Sequence, residues 1–387
     1  MILAAYAGKI KMKDDWLRKQ VFQTRKWPDI SLKNWTDWKW QFANRLMDAD
    51  ALKKRIKLTE GQKKALDISP DQPIALTPYY AALIAEATDD AARALKRMAL
   101  PELSETITKE NEFVDPLSEE DYSPVPGLVH RYPDRVLLSV TSICPLYCRY
   151  CTRRRYVGRP RPIDRGPWWD YIAAHKEIRE VIISGGEPLT LSDAVLKELL
   201  GNIRKNEHIQ VIRLSTRTPA VLPFRITRDT AAMLAEFQPI FVLTQFNHPA
   251  ECTLDAFRAV EKLRMRGIMV LNQAVLLRGV NDDASIITDL GRKLLIMGIK
   301  PYYLHQMDAV RGTAHFRVGL DRGLAIMREL RREVSGIATP KYVIDLPEGG
   351  GKVSLAPNYV VESGETEAWL KGVDNRLHRY DWEKEVK

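Results

Sequence analysis

Three of the four cysteines in this sequence lie within one eight-residue stretch, at Cys144, Cys148 and Cys151. Thiolates at this spacing on one short loop can hold a single iron-sulfur cluster. A four-iron cluster with only three cysteine ligands keeps one iron free for an outside ligand, as a catalytic zinc site keeps a position for water. The spacing therefore indicates a cluster that takes part in chemistry.

The fourth cysteine, Cys252, offers an alternative. It could in principle complete a structural zinc site of four cysteines, as in a zinc-stabilised binding module. The open cluster is favoured because a second motif, SGGEP at 184–188, follows the cysteines. On their own, Gly185 and Gly186 would also fit a plain tight turn after a buried strand.

A third candidate is Lys352, which directly follows three glycines in the segment DLPEGGGK at 345–352. A lysine amine forms a Schiff base with an aldehyde cofactor such as pyridoxal phosphate, and glycines let the backbone approach a cofactor closely. From the spacing alone, an ordinary surface lysine on an exposed glycine loop is the better explanation.

The elements that must position these residues are short runs rich in β-branched residues, each followed by a helical pattern. There are six such runs, at 136–141, 181–184, 211–216, 240–244, 268–275 and 299–304. They predict an α/β fold, a partial (β/α)6 barrel whose functional groups lie at the carboxyl ends of parallel strands. The cysteines follow the first run, and SGGEP begins at the end of the second.

The chain divides into four predicted parts. Apolar residues at helical spacing predict a helical N-terminal region over 1–114, and an acidic, proline-rich connector follows at 115–135. The barrel core is predicted over 136–345. Residues 346–387 form a C-terminal extension that carries Lys352, and its last twenty or so residues are expected to be peripheral.

The charge balance leaves several partners open. Lys and Arg number 59 against 50 Asp and Glu, a net charge of +9, but the positive residues are interspersed with acidic ones. A solvated surface is favoured over a nucleic-acid site. A tryptophan group in the N-terminal region is expected to pack in a helical core rather than stack on bases. Its members are Trp35, Trp38 and Trp40.

Hydropathy and cysteine usage predict the compartment. No apolar run reaches the length of a membrane span, and residues 2–7 lack a full signal-peptide core. Clustered cysteines fit metal ligation in a reducing compartment better than a disulfide framework. We therefore expect a cytoplasmic protein that binds neither membranes nor nucleic acid.

The two ordered motifs CxxxCxxC and SGGEP resemble the radical S-adenosylmethionine (radical SAM) superfamily. Other segments are similar to the lysine 2,3-aminomutase family within it, and the resemblance covers nearly the whole chain. They are HRYPDRVL (130–137), CTRRRY (151–156), RTPAVLP (217–223), FNHP (246–249), NQAVLLRGVND (272–282) and DLPEGGGKVSLAPNY (345–359). The resemblance implies a radical-SAM barrel that moves the α-amino group of L-lysine to the β-carbon.

The same resemblance implies three cofactors: a [4Fe-4S] cluster, S-adenosylmethionine at its free iron, and pyridoxal 5′-phosphate on Lys352. It also implies an electron donor such as flavodoxin or ferredoxin, and a homo-oligomer. Further cofactor contacts would come from Arg131, Tyr132, Arg135, Gly185, Gly186, Glu187 and Gln273. The amino acid would be held by Arg153 at its α-carboxylate and, at its side-chain amine, by Asp308 and Asp345.

Several positions keep alternatives open. Tyr150 and Gln245 stand where the family usually has histidine, and Glu348 shortens the glycine run. Taken singly, Asp308 and Asp345 could be a helix cap and a strand-end residue. Arginine would satisfy the same two carboxylates, and an RNA-modifying radical SAM enzyme would give Lys352 no role. Because no cysteine follows Cys252, no C-terminal zinc site is expected.

Overall fold

The parallel sheet forms the centre of the molecule. The computed structural model describes residues 27–68, 73–160 and 162–383. Its main sheet has nine strands that neighbour one another in chain order. They are β1 Leu128–Tyr132, β2 Arg135–Thr141, β3 Glu180–Gly185, β4 Val211–Thr216, β5 Ile240–Thr244, β6 Met269–Leu276, β7 Lys300–Gln306, β8 Lys341–Leu346 and β9 Gly351–Leu355.

Strands β2 to β8 run parallel to one another. At the two edges of this parallel set, β1 pairs antiparallel with β2 and β9 pairs antiparallel with β8. Within the described ranges no pairing joins β1 to β9, so the sheet is an open barrel. The predicted partial α/β barrel is confirmed, and the six predicted strands are β2 to β7. The structure adds β8, a seventh parallel strand.

Alternation along the strands separates the inner face from the outer face. In β4, Ile212, Leu214 and Thr216 are buried, while the intervening Arg213 and Ser215 line an internal cavity. Because successive side chains of a strand point to opposite faces, one set packs against helices and the other faces the barrel interior. This interior is where functional side chains converge.

The helices of the barrel cover the sheet. They are α7 Gly166–Ala174, α8 Asp193–Arg204, α9 Thr218–Val221, α10 Arg228–Ala235, α11 Leu254–Arg264, α12 Ala284–Ile296 and α13 Leu320–Glu333. Ser192, Thr227 and Thr253 cap three of them by accepting backbone hydrogen bonds. In α8 the residues Leu196, Leu199, Leu200 and Ile203 form the buried stripe expected of a surface helix.

The N-terminal region contributes six described helices, all of them short. They are α1 Leu32–Trp35, α2 Trp38–Ala43, α3 Ala49–Arg55, α4 Glu60–Ile68, α5 Pro78–Glu86 and α6 Asp89–Ala99. The tryptophan group spans a break between α1 and α2, where the Asp37 side chain caps α2. Trp35 is buried, and Trp38 and Trp40 pack half-buried on the core. The helical structure predicted for residues 1–26 lies outside the described ranges.

The C-terminal extension contains more structure than the sequence indicates. After β9 it forms a separate antiparallel sheet of β10 Val360–Ser363, β11 Glu367–Lys371 and β12 Leu377–Asp381. Nearly all side chains of these strands are at least partly exposed, so no alternation of buried and polar residues marks them. In the described part of the chain, no helix combines the length and apolar character that crossing a membrane requires.

Candidate active site

A cavity of about 720 Å³ opens inside the barrel. Its wall includes the cysteine loop after β2, the glycines at the end of β3, Gln245 after β5, Gln273 on β6 and Asp308 after β7. Carboxyl ends of parallel strands meet at one edge of a sheet, which is why residues so distant in sequence converge. All predicted site residues line this cavity: Cys144, Cys148, Cys151, Arg131, Tyr132, Arg135, Arg153, Gly185, Gly186, Glu187, Gln273, Asp308, Asp345 and Lys352.

The cysteine loop is held from behind by the N-terminal region. The Arg45 guanidinium donates to the Cys144 carbonyl oxygen at 2.6 Å. The backbone N–H groups of Tyr147 and Arg149 donate to carbonyls of Ala75 and Met98, at 3.1 and 2.9 Å. The helical region therefore fixes the loop that carries the three thiols.

On the other side, the two glycines after β3 let the backbone meet this loop closely. A Cβ added at Gly186 would lie 2.6 Å from the Ile143 carbonyl oxygen, and one at Gly185 would lie 2.6 Å from that of Thr141. Gly185 also has φ near +107°, a conformation that favours glycine. The tight-turn interpretation of these glycines thus holds, and the turn lies on the cavity wall.

The three thiols are partly buried, and the electrostatics of Cys144 and Cys151 suit a metal cluster. Burial, followed by the neighbouring cysteines, raises the pKa of Cys144 well above its ordinary value and that of Cys151 to about 11. A thiol in this setting ionises readily only beside added positive charge, which iron ions supply. Cys148 Sγ additionally accepts a hydrogen bond from Arg217 Nη1 at 2.8 Å. The donor set therefore fits an iron-sulfur cluster.

The zinc alternative requires Cys252 to join the other three cysteines. Cys252 is buried near Lys293 and Asp289 of α12 and does not line the cavity. Among the described residues, no three Cys, His, Asp or Glu side chains surround a point closely enough for one metal ion. Thiolates of a multi-iron cluster bind different irons and can stand further apart than those of one zinc ion.

Glu187 faces inward with its carboxylate fully used by the protein. That carboxylate accepts hydrogen bonds from Thr216 Oγ1 at 2.7 Å and from the Arg217 backbone N–H at 2.8 Å. Burial raises the pKa of Glu187. Its side chain thus ties the end of β3 to that of β4, and its backbone N–H donates to the Ile143 carbonyl oxygen of the cysteine loop at 2.9 Å.

Lys352 lines the same cavity and lies beside two ionisable groups. The β8–β9 hairpin places Asp345 directly opposite Lys352, and their side chains form an ion pair. His305 Nδ1 lies 3.3 Å from Lys352 Nζ. Glu348 and Gly349 adopt positive φ in the connecting turn. Lys352 is therefore an anchored cavity residue and not a freely solvated lysine.

Two arginines flank the same tyrosine near Lys352. The Tyr132 hydroxyl accepts hydrogen bonds from Arg131 Nη2 at 3.1 Å and from the Lys352 backbone N–H at 3.0 Å. The Arg135 guanidinium stacks over the Tyr132 ring at 3.8 Å. Arg131 also contacts Asp345 at 3.3 Å. Two guanidinium groups are suited to binding the phosphate of pyridoxal phosphate, and the neighbouring lysine amine is suited to reacting with its aldehyde.

Arg153 is paired with a residue that the sequence did not single out. Its Nε and Nη2 atoms donate to Glu119 Oε1 at 2.9 and 2.6 Å, and its Nη1 atom donates to Ser184 Oγ at 3.2 Å. Burial alone would raise the pKa of Glu119, but the Arg153 and Arg155 guanidinium groups outweigh it and lower that pKa. The sequence signal that could have revealed this pair is the acidic run of the connector together with the basic run at 153–155.

Two further cavity residues were missed by sequence reasoning. His305 gave no signal beyond its place near the end of β7, yet its Nδ1 atom lies 3.7 Å from Asp345 and 3.3 Å from Lys352. Arg217 links Cys148 to Glu251, to which its Nη2 atom donates at 2.6 Å.

Two positions that depart from the family pattern, Tyr150 and Gln245, line the cavity. Tyr150 also contacts Asn247.

The two aspartates of the cavity have opposite electrostatics. Burial, followed by the negative charge of Asp345, raises the pKa of Asp308 to about 7. Burial would also raise the pKa of Asp345, but His305 and Lys352 outweigh it and hold that pKa well below its ordinary value. Asp345 is therefore a paired carboxylate, whereas Asp308 is poised to ionise when a cation arrives.

We expect this carboxyl group to set the pH dependence of any reaction of a cationic substrate in this cavity. Below about pH 7 Asp308 is protonated and above it is ionised, so kcat/KM for a substrate with a cationic head group should rise with pH through about 7. Lys352 and Arg153 oppose this pKa shift, and Glu119 adds to it. In Asp308→Asn the step should vanish, with kcat/KM about tenfold or more lower at pH 8.

The profile is measured as initial rates from pH 6 to pH 9, with Asp321→Asn, exposed at the start of α13, as the control. A step that persists in Asp308→Asn would assign the titration to another group.

Comparisons with known proteins agree with this geometry. The family model of the radical SAM superfamily matches residues 138–289, and the model of lysine-2,3-aminomutase matches residues 327–384. The chain is 40% identical over 371 residues to L-lysine 2,3-aminomutase of Fusobacterium nucleatum, covering 94% of this chain and 85% of the relative. It is 37% identical over 380 residues to glutamate 2,3-aminomutase of Clostridioides difficile, covering 95% and 89%.

Among solved structures, a radical SAM methyltransferase from Sphaerobacter thermophilus is similar at 20% identity and a TM-score of 0.40, over 56% of this chain and 68% of that one. The sequence relatives are far more similar to this chain than that solved structure is, and they span nearly the whole chain. They are therefore the basis for the family. This chain belongs to the lysine 2,3-aminomutase family of the radical SAM superfamily and is an isomerase.

Proposed function

We propose that this enzyme moves the α-amino group of L-lysine to the β-carbon and so forms β-lysine. The observation that carries the proposal is that one cavity is lined both by the three cysteines and by Lys352. Radical chemistry and amino-group chemistry would then share one enclosed space. A substrate attached near Lys352 would face the cluster across the cavity.

In this proposal each cofactor has its own set of residues. Cys144, Cys148 and Cys151 would hold a [4Fe-4S] cluster, and the backbone at Gly185 and Gly186 would approach S-adenosylmethionine on its free iron. Gln273 lines the cavity on β6 and would contact the same ligand. When bound, the cluster with S-adenosylmethionine supplies the radical that removes hydrogen, and pyridoxal phosphate supplies the π-system that stabilises the rearranging substrate.

The residues that would bind pyridoxal phosphate are the side chains grouped around Tyr132. Arg131 and Arg135 would bind the phosphate, and Lys352 would hold the cofactor covalently. Asp345 and His305 lie against the Lys352 amine, where neutral imidazole can accept the proton that lysine must lose. Burial lowers the pKa of His305, which keeps the ring neutral.

Charge complementarity supports a cationic amino acid. Arg153 would bind the α-carboxylate, while Asp308 and Asp345 would accept the distal ammonium. Asp345 is paired with Lys352 in the structure. Once Lys352 is linked to a cofactor it no longer carries a free ammonium group, so Asp345, which keeps Arg131 as one partner at 3.3 Å, can accept a second cation. The substrate ammonium is that cation.

The same carboxylates argue against glutamate, the substrate named for the Clostridioides difficile relative. A second carboxylate brought beside Asp308 and Asp345 would place like charges together in a buried site. Arginine has the right charge but a longer and planar head group. We therefore rank L-lysine first.

The protein also needs a supply of electrons and a reducing compartment. Reduction of the cluster would require a donor such as flavodoxin or ferredoxin. Three of the four cysteines line one cavity wall as the proposed cluster ligands, which suits a reducing compartment such as the cytoplasm.

Turnover of three amino acids tests the substrate. The anaerobically reconstituted enzyme, with reductant and all three cofactors, should convert L-lysine with a kcat/KM at least about tenfold above that of L-arginine, because a mismatched head group leaves buried carboxylates imperfectly paired. L-glutamate should show no detectable conversion. Chromatography of derivatised amino acids gives the rates. Preferential conversion of glutamate would contradict the assigned roles of Asp308 and Asp345.

A further inference from the structure

The connector ahead of the barrel places a buried carboxylate in the cavity wall. Glu119 belongs to the acidic stretch at 115–121, yet its side chain is only 9% exposed. It lines the cavity together with Arg153 and Ser184. A buried carboxylate beside a proposed substrate-binding arginine either occupies the place of the substrate carboxylate or orients the arginine.

The donor geometry of Arg153 separates these two roles. A guanidinium has five N–H donors in a planar fork. Glu119 takes the Nε–Nη2 edge, with Nε to Oε1 at 2.9 Å and Nη2 to Oε1 at 2.6 Å. One Nη1 hydrogen is directed at Ser184 Oγ, 3.2 Å away. One hydrogen on Nη1 and one on Nη2 are left for a further acceptor, and these two nitrogens form the second edge of the guanidinium, where a carboxylate can bind.

The connector is fastened so that Glu119 stays in place. Arg155 contacts Asp115 at 3.0 Å, Glu119 at 3.1 Å and Glu120 at 3.2 Å. Glu119 therefore bridges two arginines of the segment that follows the cluster cysteines. Withdrawing it to admit a substrate carboxylate would take from the buried Arg153 its carboxylate partner and from Arg155 one of three, which is costly.

We propose that Glu119 is a positioning residue that holds the Nε–Nη2 edge of Arg153, so that its Nη1–Nη2 edge and the Ser184 hydroxyl bind the substrate α-carboxylate. Ser184 accepts from Arg153 and keeps its own hydrogen to donate to the substrate. The inference rests on the proposed function, because it takes an amino acid as the ligand. It assigns the carboxylate site to three residues from the connector, the cluster loop and β3.

Glu119→Gln tests this role, with Glu120→Gln as the matched control. Both changes remove a carboxylate partner of Arg155, but Glu120 is 78% exposed and does not touch Arg153. In Glu119→Gln we expect KM for L-lysine to rise about 10- to 100-fold with kcat within about threefold, because the loss is in charge-assisted binding. Glu120→Gln should match the wild type.

A second readout separates positioning from a general weakening of the cavity. L-Lysinamide lacks the negative carboxylate, so its inhibition constant should change by less than about threefold in Glu119→Gln. A structural defect would weaken lysine and lysinamide alike. In Arg153→Gln the additional Glu119→Gln change should add little to KM, since residues acting as a unit are not additive.

Failure of the role proposed for Glu119 and failure of the proposed function give different results. A wild-type enzyme without aminomutase activity on any amino acid would count against the function itself. An active wild type with a lower KM in Glu119→Gln would show that Glu119 occupies the substrate's place, and an unchanged KM would also overturn the proposal. If Glu119→Gln fails to retain its cluster, Glu119→Asp keeps the charge and should give an intermediate KM, whereas a wild-type KM there would overturn it.

Discussion

Cys148→Ser enzyme should emerge from anaerobic reconstitution without the visible absorbance of a four-iron cluster and with activity lower by about 10³-fold or more. Serine oxygen is a harder ligand than a thiolate and binds iron in such clusters poorly. The substitution is nearly isosteric, and Arg217 keeps its ion pair with Glu251. The defect should therefore be confined to the cluster.

Cys252→Ala provides the control for this experiment, because Cys252 is buried but does not line the cavity. It should reconstitute with the same iron content and absorbance per chain as the wild type. Iron and sulfide analysis together with the visible spectrum gives the comparison. A cluster retained in Cys148→Ser, or lost in Cys252→Ala, would show that the ligand set is assigned incorrectly.

Lys352→Ala should abolish covalent attachment of pyridoxal phosphate and lower activity by about 10³-fold or more, because no other amine replaces the Schiff-base lysine. The described cavity wall includes no second lysine beside Arg131 and Tyr132. Asp345 loses one partner but keeps its contact with Arg131, so the cavity should survive the change. Noncovalent binding through the two arginines should persist at lower affinity.

Borohydride reduction followed by peptide mass spectrometry locates the modified lysine. In the wild type the added mass should fall on the peptide that contains Lys352, and in Lys352→Ala no peptide should carry it. Lys341→Ala, exposed at the start of β8 in the same hairpin, is the control and should be labelled normally. Label on another lysine would contradict the assignment.

Six of the seven parallel strands could be predicted because each is a short run rich in apolar and β-branched residues that must be buried on the sheet. The cysteine loop and the glycine turn could be predicted because their residue types are chemically restrictive. In contrast, the exposed strands β10 to β12 have little alternation to reveal them. Burial, which drives the pattern in β2 to β7, does not act on them.

Residues that act through tertiary contacts were harder to identify. Glu119 and Arg153 are 34 positions apart, and only the folded connector brings them together. The pairing of Asp345 with Lys352 depends on the hairpin register, and that of His305 depends on β7 lying beside β8. The sequence indicated candidate residues for the chemistry, but it could not show which partners orient them.

The position of the nitrogen atom in the product tests the central claim most directly. L-Lysine labelled with ¹⁵N on its α-amino group is incubated with the reconstituted enzyme, and the product is examined by NMR. We predict that ¹⁵N is bonded to the β-carbon of the product, with the distal amine unlabelled. Product that retains ¹⁵N on the α-carbon, or loses it to solvent as ammonia, would contradict an aminomutase.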